Sequence, residues 1–148
     1  MDIENTKEVL NRLLTRNYDA EKGYQQVAEK VDHPELRSFC EVNAQERYRF
    51  GHQIKEIEKG HSIEPDKGSS LSGDAHRAWM EILDKLNSSS DEKIVTEAKR
   101  GEDMAIADYQ EAVKAPALSP AEKEQLSNHL KALKTSREQL DKIEAELK

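Results

Sequence analysis

Apolar residues recur at steps of three and four along most of the chain, the period of one face of an α-helix. From about Asn5 to Val31 the stripe is Leu10, Leu13, Leu14, Ala20, Tyr24, Val27, Ala28 and Val31. Asn5 with Glu8 three residues on has the form of a capping box and predicts the start of this helix. Asp32-His33-Pro34-Glu35 predicts a break and a restart, because Pro is accepted in a first helical turn. The second helix is expected over 34–59, with Leu36, Phe39, Cys40, Phe50, Ile54 and Ile57 on one side and Gly60 as its C′ residue. Residues 60–72 are rich in Gly, Ser and Pro and predict a loop. A short helix over 73–86 follows, carrying Trp79, Ile82, Leu83 and Leu86, before Ser88, Ser89 and Ser90 interrupt it. A third long helix is expected over 91–115, its seam being Val95, Ala98, Glu102, Ala105, Tyr109 and Ala112. The last spans 119–147, with Ser119 as N-cap, Pro120 at N1 and Glu122 closing a capping box. Its stripe is Leu126, Leu130, Leu133, Leu140, Ile143 and Leu147.

No segment alternates with the period of a strand, so the expected class is all-α. The short break at 32–33 makes the first two helices antiparallel neighbours. The second helix is roughly 39 Å long at ~1.5 Å per residue, and residues 60–90 suffice to return along it. Two antiparallel pairs joined by one long crossover form the ferritin-like up-down four-helix topology, here with a short extra helix in the crossover. The expectation is one domain over residues 1–148. Gly23, Gly51 and Gly101 stand inside long helices, each costing up to about 1 kcal/mol against Ala. Close helix–helix approach or contact with the crossover is the expected reason.

Composition changes the picture in two ways. Charged residues make up 36% of the 148-residue chain, against roughly 25% in typical domains, so the period rather than the apolar content carries the prediction of a fold. The net charge of −7 opposes general nucleic-acid binding. Basic residues are dispersed, without a polybasic cluster for a membrane surface, and no apolar run could span a bilayer. The first fifteen residues lack the apolar core of a signal peptide. The single cysteine, Cys40, rules out a disulfide within the chain. A cytoplasmic location is expected.

Several polar residues lie on or beside the seams: Asn17, Glu21, Asn43, Glu46, Arg47, Glu102, His129, Ser136 and Arg137. The strings Asn17 to Tyr24 (NYDAEKGY), His76 to Met80 (HRAWM), Gly101-Glu102-Asp103 and Asp108-Tyr109 resemble an uncharacterised bacterial ferritin-like four-helix-bundle family, a domain of unknown function. That resemblance covers nearly the whole chain. It implies a ferritin-like fold in a bacterial cytoplasmic protein and no particular reaction. Where it leads one to expect a His-Asp pair in the last helix, this chain has Arg137-Glu138.

Carboxylate-bridged di-iron bundles take a Glu from each of two helices and a Glu-x-x-His from each of the others. The one Glu-x-x-His here is Glu58-Lys59-Gly60-His61, at a helix end, so that motif is missing from mid-helix. Two readings of the seam remain. In one, Glu21, Glu46, Arg47, Glu102 and Arg137 form a structural ion-pair network, since Arg binds carboxylates through two parallel hydrogen bonds. In the other, Glu21, Glu46, Glu102 and His129 share a layer as a reduced site for iron, manganese or zinc. The first is preferred, with no metal or other cofactor and no catalytic residue expected. Tyr24, Tyr109 and Cys40 are expected in the core, and His129 near Glu122 or Gln125 of its own helix. His33, His52 and His61 are expected in solvent, and Trp79 as the anchor of the crossover helix. The expected function is non-catalytic, through a protein partner or self-association, with a stress-related role as one form of it. The alternative is a metal-binding oxidoreductase or storage protein. Neither reading includes nucleic acid or membrane as partner.

Overall fold

The computed structural model describes residues 2–64, 79, 84 and 90–148. It contains four long helices, α1 (Asp2–Lys30), α2 (Pro34–Gly60), α3 (Asp91–Ala112) and α4 (Pro120–Leu147), and no strand among the described residues. No described helix is long and apolar enough to cross a membrane.

The helix ends follow from local chemistry. α1 starts at Asp2, which puts Asn5 inside the helix and corrects its expected role as a cap. Nothing in Asp2-Ile3-Glu4 opposes a helix, and acidic residues are favoured at the positive end of its dipole. His33 caps α2: its Nδ1 accepts from the Leu36 amide at 3.2 Å, and Pro34 supplies a fixed φ in the first turn. α2 runs through Gly60, so Gly60 is not the C′ residue. That place belongs to Ser62, at φ 59°. The Ile63 amide donates to the Glu58 carbonyl and the Ser62 amide to that of Lys59, closing a Schellman motif over buried Ile63. α3 ends at Ala112, short of the expected Ala115, because Pro116 has no N–H and disfavours a helical residue before it. Ser119 and Glu122 form the reciprocal capping box of α4.

Contacts along the chain fix the directions. Tyr24 meets Phe39 and Gly51 meets Tyr18, so α1 and α2 are antiparallel. Arg16 pairs with Asp108 at 2.6 Å and Arg12 with Glu111 at 3.3 Å, setting α3 antiparallel to α1. Arg137 pairs with Asp103 and Lys99 with Glu144, setting α4 antiparallel to α3. Neighbours therefore alternate in direction around the core, while α2 and α3 lie across it and run the same way.

The core has two apolar halves. One gathers Tyr24, Val27, Leu36, Phe39, Val95 and Leu140 near the α1–α2 turn. The other gathers Leu10, Leu13, Phe50, Ile54, Leu126 and Leu133 toward the α3–α4 turn. Polar side chains occupy the waist between them. Trp79 lies in the first half, 2% exposed, its ring edge-on to Tyr24 at 4.7 Å. It sits on Gly23 and Gly101, where an added Cβ would fall 2.3 and 2.7 Å from the indole. Those glycines are where the crossover reaches the helices. The expected short helix over 73–86 otherwise lies outside the described residues; Trp79 and Asp84 are themselves helical.

Candidate functional site: a polar waist across the four helices

Each helix brings its waist residues inward by the three-four step. On α2 the run Leu36, Cys40, Asn43, Arg47, Phe50, Ile54, Ile57 is buried throughout. On α3 Glu102 follows Ala98 and precedes Ala105. On α4 the buried run is Leu126, His129, Leu133, Ser136, Leu140, Ile143. His129 and Ser136 thus take inward positions, while Leu130 and Arg137 are only partly buried.

Arg47 reaches across the core to Glu102. Its Nη1 donates to Oε1 at 2.7 Å and its Nη2 to Oε2 at 2.5 Å, both side chains being at most 1% exposed. Burial opposes the charge on Arg47, but the Glu102 carboxylate outweighs it and holds the guanidinium firmly protonated. The Tyr24 ring lies 5.8 Å from the guanidinium carbon, within cation–π range. Burial, and then the charge of Glu102, push the Tyr24 phenol well above its ordinary range. Arg47 Nε and the Tyr24 hydroxyl have no hydrogen-bond partner among the described residues. Beside this layer, the Ser136 hydroxyl donates to Asn43 Oδ1 at 2.7 Å.

A second layer is uncharged. Asn17 Nδ2 donates to the Leu13 carbonyl at 2.8 Å and to the Tyr109 hydroxyl at 2.9 Å. His129 Nε2 lies 2.6 Å from Gln53 Oε1, and Nδ1 lies 2.9 Å from the Tyr109 hydroxyl. Gln53 Oε1 only accepts, so Nε2 carries the hydrogen and Nδ1 of the neutral ring accepts from Tyr109. The chain of bonds runs one way, Asn17 to Tyr109 to His129 to Gln53, touching all four helices. Burial, reinforced by the charges of Arg47 and Arg49, pushes His129 down to about 4 and keeps the ring neutral. Phe50 stacks on it at 3.9 Å. Tyr109 titrates well above its ordinary range, burial being the main cause.

Of the five residues expected to share an ion-pair network, the structure joins Arg47 and Glu102. Arg137 turns outward instead, its Nε donating to Asp103 at 2.7 Å and its Nη1 to Asp141 at 2.7 Å. It stands one residue past inward-facing Ser136, about 100° around the helix. Glu46, one residue before Arg47, is likewise off the seam and lies 3.8 Å from Arg49. Glu21 flanks α1 near His52 and Lys55; partial burial raises its pKa against the pull of both. The four carboxylate and imidazole candidates for a metal also disperse. Among the described residues, no three His, Cys, Asp or Glu side chains converge in a way that could hold an ion.

His129 has partners on α2 and α3, not Glu122 or Gln125 of its own helix. Glu122 binds His61 Nε2 at 2.9 Å, which removes His61 from the expected solvated set, as capping removes His33. His52 is exposed against Tyr48. Cys40 is buried, its thiol pushed up to about 12 chiefly by burial, which suppresses the thiolate. Gln53 was missed by sequence reasoning. His129 and Ser136, expected on or beside the seam, do face inward, in phase with Leu126, Leu133 and Leu140.

A family model described as Domain of unknown function (DUF2383) matches residues 5–115. The chain belongs to this family. No curated protein and no solved structure matches it. The DUF2383 span carries both members of the ion pair, Asn17, Gln53 and Tyr109 of the neutral chain, and the glycines that receive Trp79. His129 and Ser136, on α4, lie beyond it. The motif strings have physical roles. Gly23-Tyr24 and Gly101-Glu102 each admit the indole on one residue and turn the next into the core. Asp108-Tyr109 holds Arg16 with one side chain and Asn17 with the other.

Proposed function

We propose that this DUF2383 member is a bacterial cytoplasmic protein, a single ferritin-like four-helix bundle over residues 1–148. It acts without catalysis, by binding another protein or by self-assembly. The observation that carries this reading is the Arg47–Glu102 pair. Glu102 stands at mid-seam, where a ferritin-like centre places a carboxylate on a metal ion. Both of its oxygens are held by a guanidinium, and both nitrogens of His129 are engaged. The parallel direction of α2 and α3, requiring a connection that returns along the core, supports the ferritin-like topology. Buried ion pairs add little stability over apolar replacements but can fix how helices register.

Elemental analysis of protein purified from iron- and manganese-supplemented medium tests the reading. The expected result is no stoichiometric iron, manganese or zinc, and a Glu102→Gln variant with lowered Tm and unchanged metal content. Stoichiometric metal lost in Glu102→Gln would overturn it in favour of an oxidoreductase or storage protein. Light scattering across a concentration series then separates self-assembly from partner binding.

A further inference from the structure

α2 carries a histidine at each end, and the two are wired in opposite senses. His33 is its N-cap residue and His61 its C-cap residue, roughly 40 Å apart at ~1.5 Å per residue. Both meet a carboxylate of α4. His33 Nε2 lies 3.7 Å from Glu146 Oε2, and His61 Nε2 lies 2.9 Å from Glu122 Oε1. The two side chains are 22% and 20% exposed, so protons from solvent reach both rings.

At the α1–α2 turn, His33 Nδ1 accepts from the Leu36 amide at 3.2 Å. A ring nitrogen that accepts carries no hydrogen, so this cap exists only for the neutral imidazole. A proton on Nδ1 removes the acceptor and leaves an amide of the first turn without its partner. It also sets a positive charge at the positive end of the helix dipole. The charged groups near His33 are Asp32 and Glu35 beside it in the chain, Arg37, whose Nη2 donates to the Val31 carbonyl at 2.6 Å, and Glu146 on α4. The three carboxylates favour a charged ring, but all are exposed and screened by solvent. None of them replaces the lost acceptor.

At the other end, Glu122 Oε1 accepts from both His61 Nε2 and the Ser119 amide, each at 2.9 Å. Nε2 therefore carries a hydrogen whether the ring is neutral or charged, and an added proton goes to Nδ1. That proton makes the bond to Glu122 charge-assisted. Its charge stands at the negative end of the dipole, where it is favoured. Glu58 and Lys59 on α2 and Glu64 beyond the turn are the other charged residues close to His61 in the chain. Burial works to raise the pKa of Glu122, but the Ser119 amide and His61 outweigh it and hold it below its ordinary value. The carboxylate thus stays charged where an imidazole has gained its proton.

We propose that α2 is a two-ended proton sensor: as pH falls through the imidazole range, its first turn loosens and its last turn locks onto α4. The contribution of His33 is whole while its ring is neutral and is lost as pH falls. The contribution of His61 is whole while its ring is charged and is lost as pH rises. Firm structure thereby moves along one helix, from the α1–α2 turn to the Ser62–Ile63 corner. The device is independent of the Arg47–Glu102 layer and of what the protein binds.

Amide hydrogen exchange of the full chain tests it, normalised to intrinsic rates, between about pH 7.5 and about pH 5.5, on either side of the ordinary imidazole value. Changes are read relative to Ala44, buried in mid-α2, so a loss shared by the whole bundle does not count. Protection of the Leu36 amide is expected to fall about fivefold on acidification. Protection of the Ile63 and Ser119 amides is expected to rise about twofold. His33→Asn keeps a side-chain cap with no proton to gain in this range, and abolishes the loss at Leu36 alone. His61→Gln keeps a donor toward Glu122 without a charge, and abolishes the gain alone. Leu36 protection that holds steady, or that falls equally in His33→Asn, overturns the sensor. So does protection at Ile63 and Ser119 that drops, stays level, or rises equally in His61→Gln.

Discussion

The two polar layers of the waist solve one problem in different ways. The Arg47–Glu102 layer places a full positive and a full negative charge in the core and satisfies them almost entirely with each other. The Asn17–Tyr109–His129–Gln53 layer contains no charge and spreads its bonds over four helices. In the first, everything depends on a single partner. Desolvation of two ions is tolerable only while both remain, so losing one leaves an uncompensated buried charge. In the second, losing one group leaves a dipole unsatisfied, a smaller penalty. The layers also communicate: the charge of Arg47 helps keep His129 neutral.

The largest break comes from cutting the ion pair on one side. Glu102→Ala is expected to lose about 3–5 kcal/mol in urea unfolding. An Arg47→Met/Glu102→Leu double variant should recover most of that loss, while Tyr109→Phe in the other layer should cost about 1–3 kcal/mol. A double variant as unstable as the single one would show that the charges are not the dominant cost.

Acidification tests the neutral layer next. The folded-state pKa of His129, about 4, lies below the ordinary value near 6.5. The unfolded chain therefore binds the extra proton first. This contribution is complete above about pH 6.5 and is lost as pH falls toward 4, on the order of 3 kcal/mol. In His129→Gln the same scan should fall less steeply, the difference being read from urea midpoints at each pH.

Filling a glycine sharpens the contrast. Gly23→Ala places a Cβ against the indole and should cost about 1–3 kcal/mol. Trp79 is the single tryptophan, so its fluorescence should shift to the red, reporting disturbance beside the ion pair. The pH dependence assigned to His129 should persist. The smallest effect is a gain and touches neither layer. Ser62→Gly relieves a left-handed backbone at φ 59° and should add about 0.5–1 kcal/mol, measured as a higher urea midpoint. It sets the baseline for a purely local change.

Much of the helical layout was readable because it is local. Ser119-Pro120-x-Glu122 forms a helix start wherever it stands, and His33-Pro34 forces a restart. The three-four step placed Arg47, Glu102, Tyr24 and Tyr109 inward. Where the reading slipped, a choice between adjacent residues decided it. His129 and Leu130 both stand on or beside the expected seam, as do Ser136 and Arg137, and the structure gives the inward places to His129 and Ser136. The phase set by Leu126 and Leu133 favours His129 over Leu130, and apolar type alone does not separate them.

By itself, the sequence determined the helices, most of their starts and stops, and a set of polar side chains at mid-seam, since caps, prolines and hydrophobic period act within a few residues. Which polar side chain meets which was decided by the tertiary structure alone. A helix face tells that Arg47 points inward, not that it crosses the core to Glu102 and leaves Arg137 to Asp103. Pairing depends on how far each helix slides along its neighbours, and that register is set by long-range packing such as Trp79 on Gly23 and Gly101. A shift of one turn, ~5.4 Å, would give every waist residue a different partner.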